Sequence, residues 1–399
     1  MDSQSGPDDK SGLPRQLAER GAIDPFIVMD VLRVANEKMA AGTDVIHMEV
    51  GQPGTPAPAR AVEAAHRALD NHTLGYTDAL GIPELRECIA GHYKRQYGID
   101  VSPNRVVVTS GSSAAFTLTF LAILDPGARV AIPSPGYPCY RHILKALGAE
   151  AVVLETGPET RWMPTPEALA ELHGRVSIDA LLLASPANPT GTMLVGDALR
   201  QLAHACDEQK LWFISDEIYH GLDFEEAAKT ALAFSDSAIV INSFSKYFSM
   251  TGWRVGWMVV PDELVRPLER LKQNLFICAP AISQYAALAA FDAYEELEAN
   301  KAVYRVNRDL LLEELPQAGF TNILPADGAF YLYADVRHLT DDSTQLARRI
   351  LEDCGVAVTP GMDFDEARGK HYLRFCYSGT TERMREAARR LRDWSRRNS

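Results

Sequence analysis

The chain has only six cysteines among its 399 residues, and they are scattered along the sequence. No two of them form a Cys-x-x-Cys motif, and the ten histidines show no His-x-x-x-His spacing. Those patterns are typical of zinc sites, so the sequence predicts no metal ion. Isolated cysteines without a disulfide framework indicate a reducing compartment, and we therefore expect a cytoplasmic protein.

The sequence also lacks long apolar runs and an excess of positive charge. No segment approaches the roughly 18 consecutive apolar residues that suggest a membrane-spanning helix. The 53 acidic residues outnumber the 40 basic ones and give a formal net charge of -13, which disfavours binding to nucleic acids and to anionic membranes. The N-terminus is polar and acidic, unlike a targeting peptide, and residues 1–12 are expected to form a disordered tail.

The length and the hydrophobic pattern predict two domains of different kinds. A chain of 399 residues exceeds the ~250–300 residues at which one hydrophobic core stops growing. From Arg105 to Val260 short apolar runs alternate with helical patterns, which predicts an α/β domain with a mainly parallel sheet and crossover helices. From Asp262 to about Leu315 the pattern is helical, with a break near Pro280. The rest predicts a smaller α+β domain with strands at Ala329–Ala334, Val356–Thr359 and Tyr372–Cys376.

The segment from Ser243 to Trp257 contains a lysine, Lys246, eight positions before an arginine, Arg254, among glycines and small hydroxyl residues. A lysine amine can condense with an aldehyde, while hydroxyls, backbone N–H groups and a guanidinium together suit a phosphate. Both charges could instead be solvated surface groups, as most lysines and arginines are. The apolar, tryptophan-bearing neighbourhood favours the first interpretation, and pyridoxal phosphate carries both an aldehyde and a phosphate.

Two further segments carry polar residues at the ends of predicted strands. Asn188 follows the apolar run Ala180–Ala184, while Asp216 and Tyr219 follow the run Leu211–Ile214. Each run is typical of a buried parallel strand, and ligands collect at the carboxyl ends of such strands. Either segment alone is more typical of a turn than of a site. Their order along the chain, ahead of the lysine and the arginine, favours a cofactor site.

The motif Ser-x-Ser-Lys…Gly-Trp-Arg-x-Gly is highly specific. With it the chain resembles the class I and II pyridoxal-phosphate aminotransferases of fold type I, the group containing aspartate, alanine, aromatic and kynurenine aminotransferases. The resemblance extends from about Ile23 to the C-terminus, and Gly51-Gln-Pro followed by Gly81-Ile-Pro-Glu-Leu-Arg places the chain in one branch of that family. It implies a large cofactor-binding domain over residues 51–285 and a small domain built from residues 13–50 and 286–399.

The resemblance also implies an activity and roles at the cofactor ring. The expected enzyme moves an amino group between an L-amino acid and a 2-oxo acid, with pyridoxal 5'-phosphate held by Lys246 as an imine. Lys246 is then the base that moves a proton between the substrate Cα and the cofactor. Asp216 is expected to hold the pyridine nitrogen protonated. Tyr219 and Asn188 are expected to donate to the 3' oxygen, and Tyr137 to stack on the ring.

The phosphate and the substrate have their own expected partners. Arg374 matches the family's arginine for the substrate α-carboxylate, with Asn188 and the backbone N–H of Gly51 beside it. Tyr76 is expected to reach the phosphate from the second subunit of an obligate homodimer with shared sites. The remaining phosphate ligands are expected to be Gly111, Ser112, Ser113, Ser243, Ser245 and Arg254.

Substrate choice is less readable from the sequence. Ser113 stands where aspartate-specific members of the branch have a lysine, which argues against aspartate as the substrate. Ile23, Phe26 and Ile27 are candidates for an apolar side of the pocket.

Two alternative functions stay open. A carbon–sulfur β-lyase or related enzyme would keep the same cofactor residues, and a non-catalytic cofactor-binding regulator would need a DNA-binding domain in the approximately fifty residues before Gly51.

Overall fold

The structure is a computed structural model that describes residues 18–398, and the predicted tail at residues 1–12 lies outside them. The strands of this part are β1 (Ile46–His47), β2 (Val106–Thr109), β3 (Arg129–Ser134), β4 (Glu150–Glu155), β5 (Ala180–Ala184), β6 (Trp212–Asp216), β7 (Ile239–Ser243), β8 (Gly256–Val259), β9 (Tyr331–Asp335), β10 (Val356–Ala357), β11 (Thr359–Pro360) and β12 (Tyr372–Cys376). Its helices are α1 (Ile27–Ala40), α2 (Ala59–Asn71), α3 (Pro83–Tyr97), α4 (Ser112–Ile123), α5 (Cys139–Leu147), α6 (Pro166–Arg175), α7 (Ala198–Glu208), α8 (Asp262–Leu275), α9 (Ala281–Ala290), α10 (Tyr294–Gln317), α11 (Ser343–Cys354) and α12 (Thr381–Asn398).

The largest sheet has seven strands in the order β2-β8-β7-β6-β5-β3-β4. The pairs β3–β4, β3–β5, β5–β6 and β6–β7 are parallel, whereas β8 runs antiparallel to both of its neighbours. The helices α5, α6 and α7 lie in the connections from β3 to β4, β4 to β5 and β5 to β6, whereas a long loop with one short 3₁₀ turn connects β6 to β7. The predicted α/β fold with a mainly parallel sheet is therefore confirmed.

Two hydrophobic clusters cover the two faces of this sheet. Along β5, Leu181 and Leu183 belong to one cluster, while Ala180 and Leu182 belong to the other. Side chains of successive strand residues point to opposite faces, so a strand that is apolar at every position is buried on both sides. This double burial leaves the strand ends as the places where polar side chains can collect.

The C-terminal residues form a second, antiparallel sheet of three strands in the order β11-β12-β9. Nearby, β1 from the N-terminal region pairs in parallel with β10. The N-terminal segment is therefore joined to the C-terminal part by main-chain hydrogen bonds, although about three hundred residues separate the two strands in the sequence.

The helical stretch predicted from Asp262 to about Leu315 consists of the three helices α8, α9 and α10. The first break ends at Pro280, as predicted, but a second one lies between Ala290 and Tyr294. Glu295 and Glu296 stand in the first turn of the new helix, where negative charge is favourable because it faces the positive end of the helix dipole.

Candidate active site

A cavity of about 450 Å³ lies at the edge of the large sheet where its parallel strands end. Chain geometry puts the site there: β5 ends four residues before Asn188, β6 ends at Asp216, and β7 ends three residues before Lys246. Because β8 is antiparallel, its first residue lies at the same edge and follows Arg254 closely. The cavity is lined by most of the predicted site residues: Gly51, Ser112, Ser113, Tyr137, Asn188, Asp216, Tyr219, Ser245, Lys246, Arg254 and Arg374.

Lys246 presents a buried amine at the floor of the cavity. Its Nζ donates a hydrogen bond to the backbone carbonyl of Gly51, 2.5 Å away. Burial disfavours the charged ammonium and lowers the pKa of Lys246 to about 8. A substantial neutral fraction near neutral pH makes this amine a nucleophile and a base, which an ordinary surface lysine is not.

Asp216 is a buried carboxylate, only 3% exposed. It accepts hydrogen bonds from the Tyr140 hydroxyl and, over 3.1 Å, from the backbone N–H of Ile218. Burial raises the pKa of Asp216 to about 6, and the two hydrogen bonds and the Lys246 charge oppose that rise. The carboxylate is therefore still mainly ionised at neutral pH. Tyr140 was not among the residues predicted from the sequence, although it stands three positions after Tyr137 at the start of a helix and both rings line the cavity.

Tyr219 meets a second tyrosine that the sequence analysis did not identify. The hydroxyls of Tyr219 and Tyr331 lie 2.7 Å apart, and both side chains are buried. The Tyr331 hydroxyl also occupies the space beside Gly51, where an added Cβ would overlap it. The absence of a side chain at position 51 therefore makes room for the Tyr331 hydroxyl. Both residues belong to the cavity lining.

Arg374 is buried, with 1% of its surface exposed. Its Nη1 donates to Asn188 Oδ1 over 2.7 Å, and its Nη2 donates to the Glu49 carbonyl and to Thr359 Oγ1. The guanidinium lies 4.4 Å from the centre of the Tyr331 ring and 4.7 Å from that of Phe364. Because Asn188 uses its carbonyl oxygen for this contact, its NH₂ group is the donor it can offer to another group.

The backbone before α4 and the guanidinium of Arg254 form a cradle. Gly111 precedes the helix with φ of 78°, and an added Cβ at this position would overlap Arg254. Arg254 itself is exposed and donates to the Thr251 carbonyl over 3.1 Å. Free N–H groups at a helix N-terminus beside a guanidinium suit a phosphate.

Five residues that the sequence predicted for the site or for its apolar side do not line the cavity of their own chain: Gly111, Ser243, Tyr76, Ile23 and Ile27. Of the three apolar candidates, Phe26 lines it. Gly111 contributes through its contact with Arg254. Ser243 is buried behind the site, where its hydroxyl contacts Ser245 and the Val255 carbonyl. Tyr76 is 83% exposed.

The donor set fits a group that carries an aldehyde, a ring nitrogen and a phosphate. Lys246 supplies the amine, Asp216 a buried carboxylate, and the turn at Gly111 with Arg254 an anion cradle. The Nε atom of Arg374 is buried without a hydrogen-bond partner, so this guanidinium retains a donor for an anionic ligand. In residues 18–398 no group of three metal-ligating side chains occurs.

The chain is similar to known proteins in sequence and in fold. Residues 43–391 match the family model of the aminotransferases of class I and II, and the chain belongs to this family. It is 47% identical to a valine–pyruvate aminotransferase of Mycobacterium tuberculosis, over 95% of this chain and 98% of the relative. A crystal structure of an aminotransferase from Mycobacterium tuberculosis superposes with a TM-score of 0.94 at 46% identity, covering 96% of this chain and all of that one. The aspartate aminotransferase of Thermus thermophilus with maleate gives a TM-score of 0.90 at 32% identity, over 95% of this chain and 100% of the other.

The protein is therefore a pyridoxal-phosphate-dependent aminotransferase of fold type I, which confirms the predicted family, cofactor and reaction class. Its substrates are amino acids and 2-oxo acids. None of the helices in residues 18–398 is long and apolar enough to cross a membrane.

Proposed function

We propose that this aminotransferase takes L-amino acids with apolar side chains as amino donors and pyruvate or a similar small 2-oxo acid as acceptor. The observation that carries the proposal is the apolar wall that the start of α1 contributes to the cavity. This wall consists of the side chains of Phe26, Val28, Met29 and Leu32. The 47% identical relative named for valine and pyruvate supports the same donor class.

The charges in the cavity support this choice. Among residues 18–398, the lysines and arginines that line it are Lys246, Arg254 and Arg374. We assign Lys246 to proton transfer, Arg254 to the cofactor phosphate and Arg374 to the substrate α-carboxylate. No further lysine or arginine of the described chain is then left for the second carboxylate of aspartate or glutamate, and a dicarboxylate would be poorly compensated in a partly apolar cavity.

The proposed chemistry uses the pKa values of the site. When bound, pyridoxal phosphate supplies an electron sink that stabilises negative charge at the substrate Cα. Lys246 Nζ takes the proton from Cα as a general base, and its lowered pKa suits this task near neutral pH. Asp216 provides the buried negative charge that favours a protonated ring nitrogen. Tyr137 and Tyr219 hold the ring in position, with the NH₂ group of Asn188 as a further donor.

The planar fork of Arg374 binds the carboxylate that all substrates share. Its two aromatic neighbours and its hydrogen bonds to Asn188 and Thr359 fix the fork before a substrate arrives. This preorganisation reduces the entropy lost on binding. We assign the backbone N–H of Gly51 to the same carboxylate.

We further propose that the enzyme acts in the cytoplasm as a homodimer in which Tyr76 enters the partner's site. Six cysteines without a disulfide support the compartment. The exposed Tyr76 side chain supports the shared site, because large aromatic rings are seldom left in solvent. Mixing Lys246→Ala subunits with Tyr76→Phe subunits should give hybrid dimers that have one intact site and regain activity. No gain after confirmed subunit exchange would contradict the exchange of Tyr76.

The donor class is tested by single-turnover spectroscopy of the cofactor-loaded enzyme with L-valine, L-leucine, L-alanine, L-aspartate and L-glutamate. We expect the apolar donors to change the cofactor absorbance faster than the two dicarboxylates at equal concentration. Met29→Arg is the matched variant, because it places a cation on the α1 wall. It should increase the rate of the absorbance change with the two dicarboxylates alone. Aspartate or glutamate as the fastest wild-type donor would overturn the proposal.

A further inference from the structure

The start of helix α1 is held by a residue far away in the sequence. Its N-cap residue, Phe26, makes no side-chain capping hydrogen bond. Instead, the backbone N–H groups of Ile27 and Val28 donate to Oδ1 and Oδ2 of Asp363, each over 3.1 Å. The first N–H groups of a helix have no partner within the helix, and a carboxylate there also faces the positive end of the helix dipole. Asp363 therefore caps α1 from a loop 336 positions away.

Asp363 is held rigidly in its own surroundings. The side chain is completely buried, and its backbone carbonyl accepts a hydrogen bond from Arg141 over 2.9 Å. It lies in the short segment between β11, which pairs with the strand that carries Arg374, and Phe364. A carboxylate that is buried in this way with both oxygens engaged leaves α1 little freedom to shift.

The next residue, Phe364, touches the carboxylate-binding side of the site. Its ring lies 4.7 Å from the Arg374 guanidinium, and its backbone carbonyl accepts a hydrogen bond from the N–H of Gly136 over 3.0 Å. Gly136 precedes Tyr137, whose ring makes an edge contact with Phe26 at a centroid distance of 5.7 Å. Two consecutive residues thus connect the start of α1, the arginine and the loop of the ring-stacking tyrosine.

We propose that Asp363 is a positioning residue for recognition of the substrate side chain, because it fixes the apolar wall of α1 relative to the Arg374 guanidinium. A substrate bound by its carboxylate at Arg374 reaches the wall only if its side chain is long enough, so Asp363 sets the length of apolar side chain that the site accepts. This inference rests on the proposed apolar donor class and adds the element that tunes it.

The main test compares Asp363→Asn with the wild type in the cofactor-loaded enzyme. An asparagine can accept only one of the two hydrogen bonds, and its NH₂ group opposes the other N–H. We expect the KM for L-valine and L-leucine to rise about fivefold, the size expected when one capping hydrogen bond is lost. The KM for L-alanine, whose methyl group does not reach the wall, and all kcat values should stay within about twofold of the wild type.

A second variant approaches the same contact from the helix. Ile27 is the first residue of α1, a position where proline is well tolerated, and Phe26 before it already has the extended backbone that proline requires. Ile27→Pro removes the N–H that donates to Oδ1 and leaves the buried carboxylate untouched. Ile27→Ala is its control, because it shortens the same side chain and keeps the N–H. We expect Ile27→Pro to act like Asp363→Asn and Ile27→Ala to act like the wild type.

Asp365→Asn controls for loss of a buried carboxylate in the same loop. Asp365 is 4% exposed and holds the backbone N–H groups of Ala367 and Arg368 within its own loop, not those of α1. It should leave the ratio of KM values for leucine and alanine unchanged. Dissociation constants of the matching 2-oxo acids, measured by calorimetry on the resting enzyme, should show the same dependence on chain length without turnover.

The outcomes separate the two proposals. A wild type that shows no preference for apolar donors overturns the proposed donor class. An apolar preference that survives both Asp363→Asn and Ile27→Pro overturns the role of Asp363 alone. The role is also overturned if the two variants raise the KM of alanine and leucine by the same factor, because a purely structural effect would not distinguish side-chain lengths. If Asp363→Asn does not fold, Ile27→Pro against Ile27→Ala decides the question.

Discussion

The floor and the wall of the active-site cavity are built in different ways. The floor comes from the strand ends of one sheet, where Asn188, Asp216 and Lys246 lie within a continuous stretch of 59 residues. The wall comes from α1 and from the segments around Tyr331 and Arg374. About three hundred residues of the chain separate α1 from these two segments. Main-chain pairing fixes the floor and also joins β9 to β12, whereas α1 is held against the rest of the wall by contacts of side chains such as that of Asp363. We infer that the floor determines the chemistry and that the wall determines the substrate.

The largest effect is expected at the floor, from Lys246→Ala. Without the amine there is neither a covalent attachment point nor a base, so turnover should fall to background with every amino acid. Borohydride reduction of the wild type should attach the cofactor to the peptide that contains Lys246, as peptide mass spectrometry can show. A reduced adduct on any other lysine would contradict this role and, with it, the assignment of the floor to chemistry.

The sequence predicted that the floor residues meet at one edge of the sheet, because each of them stands at a recognisable place in a local pattern. Asp216 ends an apolar run, and Lys246 and Arg254 belong to one motif, so the strand pattern alone brings them to one edge. Tyr140 had a local signal too, since it follows Tyr137 by three residues.

The wall had no comparable signal. Tyr331 is recognisable only once its hydroxyl is seen beside Tyr219, and Asp363 only once it is seen at the start of α1. These contacts join residues more than one hundred positions apart, and no period or spacing in the sequence reports them. The close approach of Gly51 to Tyr331 is of the same kind, because the side chain beside the glycine comes from a distant strand.

A second change at the floor, Asp216→Asn, should keep the shape of the site and remove its charge. The asparagine oxygen can accept from the N–H of Ile218 while its NH₂ group donates to the Tyr140 hydroxyl, which can accept as well as donate, so the unfolding midpoint should change little. The activation free energy should rise by ~3–4 kcal/mol, the size seen when one charge-stabilising group is removed from an active site. Steady-state kinetics with several donors should show the same loss for each. A variant within a few-fold of wild-type kcat would contradict the role of Asp216.

Arg374 belongs to the wall, but it binds the carboxylate that all substrates share. Its replacement therefore tests whether every residue of the wall discriminates between substrates. Arg374→Lys keeps a positive charge and loses the fork, and we expect transition-state binding to weaken by roughly 2 kcal/mol, at the low end for disturbing a buried charge pair. The loss should appear mainly in KM and should be similar for valine and alanine. A loss that depends on side-chain length would contradict a pure carboxylate role.

The contact between Gly51 and the wall residue Tyr331 can be disturbed with one methyl group. Gly51→Ala would place a Cβ where the Tyr331 hydroxyl lies, and overpacking of this kind destabilises proteins by about 1–3 kcal/mol. Adding Tyr331→Phe removes the overlapping oxygen and should recover part of the loss in urea unfolding. Gly174→Ala is the control, because a Cβ there meets nothing within 4 Å. Equal stability of the single and double variants would show that Gly51 and Tyr331 are not coupled.

The smallest expected effect is a pH dependence that belongs to the floor alone. Attachment of the cofactor aldehyde needs the neutral amine of Lys246, whose pKa is lowered by burial from 10.5 to about 8. The neutral fraction therefore increases with pH and is nearly complete above about pH 9, while Asp216 is ionised above about pH 6. For enzyme stripped of cofactor, the rate of reconstitution should rise about tenfold per pH unit below pH 8, as a single titrating amine requires, and then level off. Stopped-flow absorbance measures this rate, and non-covalent binding to Lys246→Ala should lack the step. A midpoint of this pH dependence near the ordinary lysine pKa would mean that the amine is not desolvated. Because the floor and the wall are built from different segments, wall variants such as Asp363→Asn should leave the midpoint unchanged.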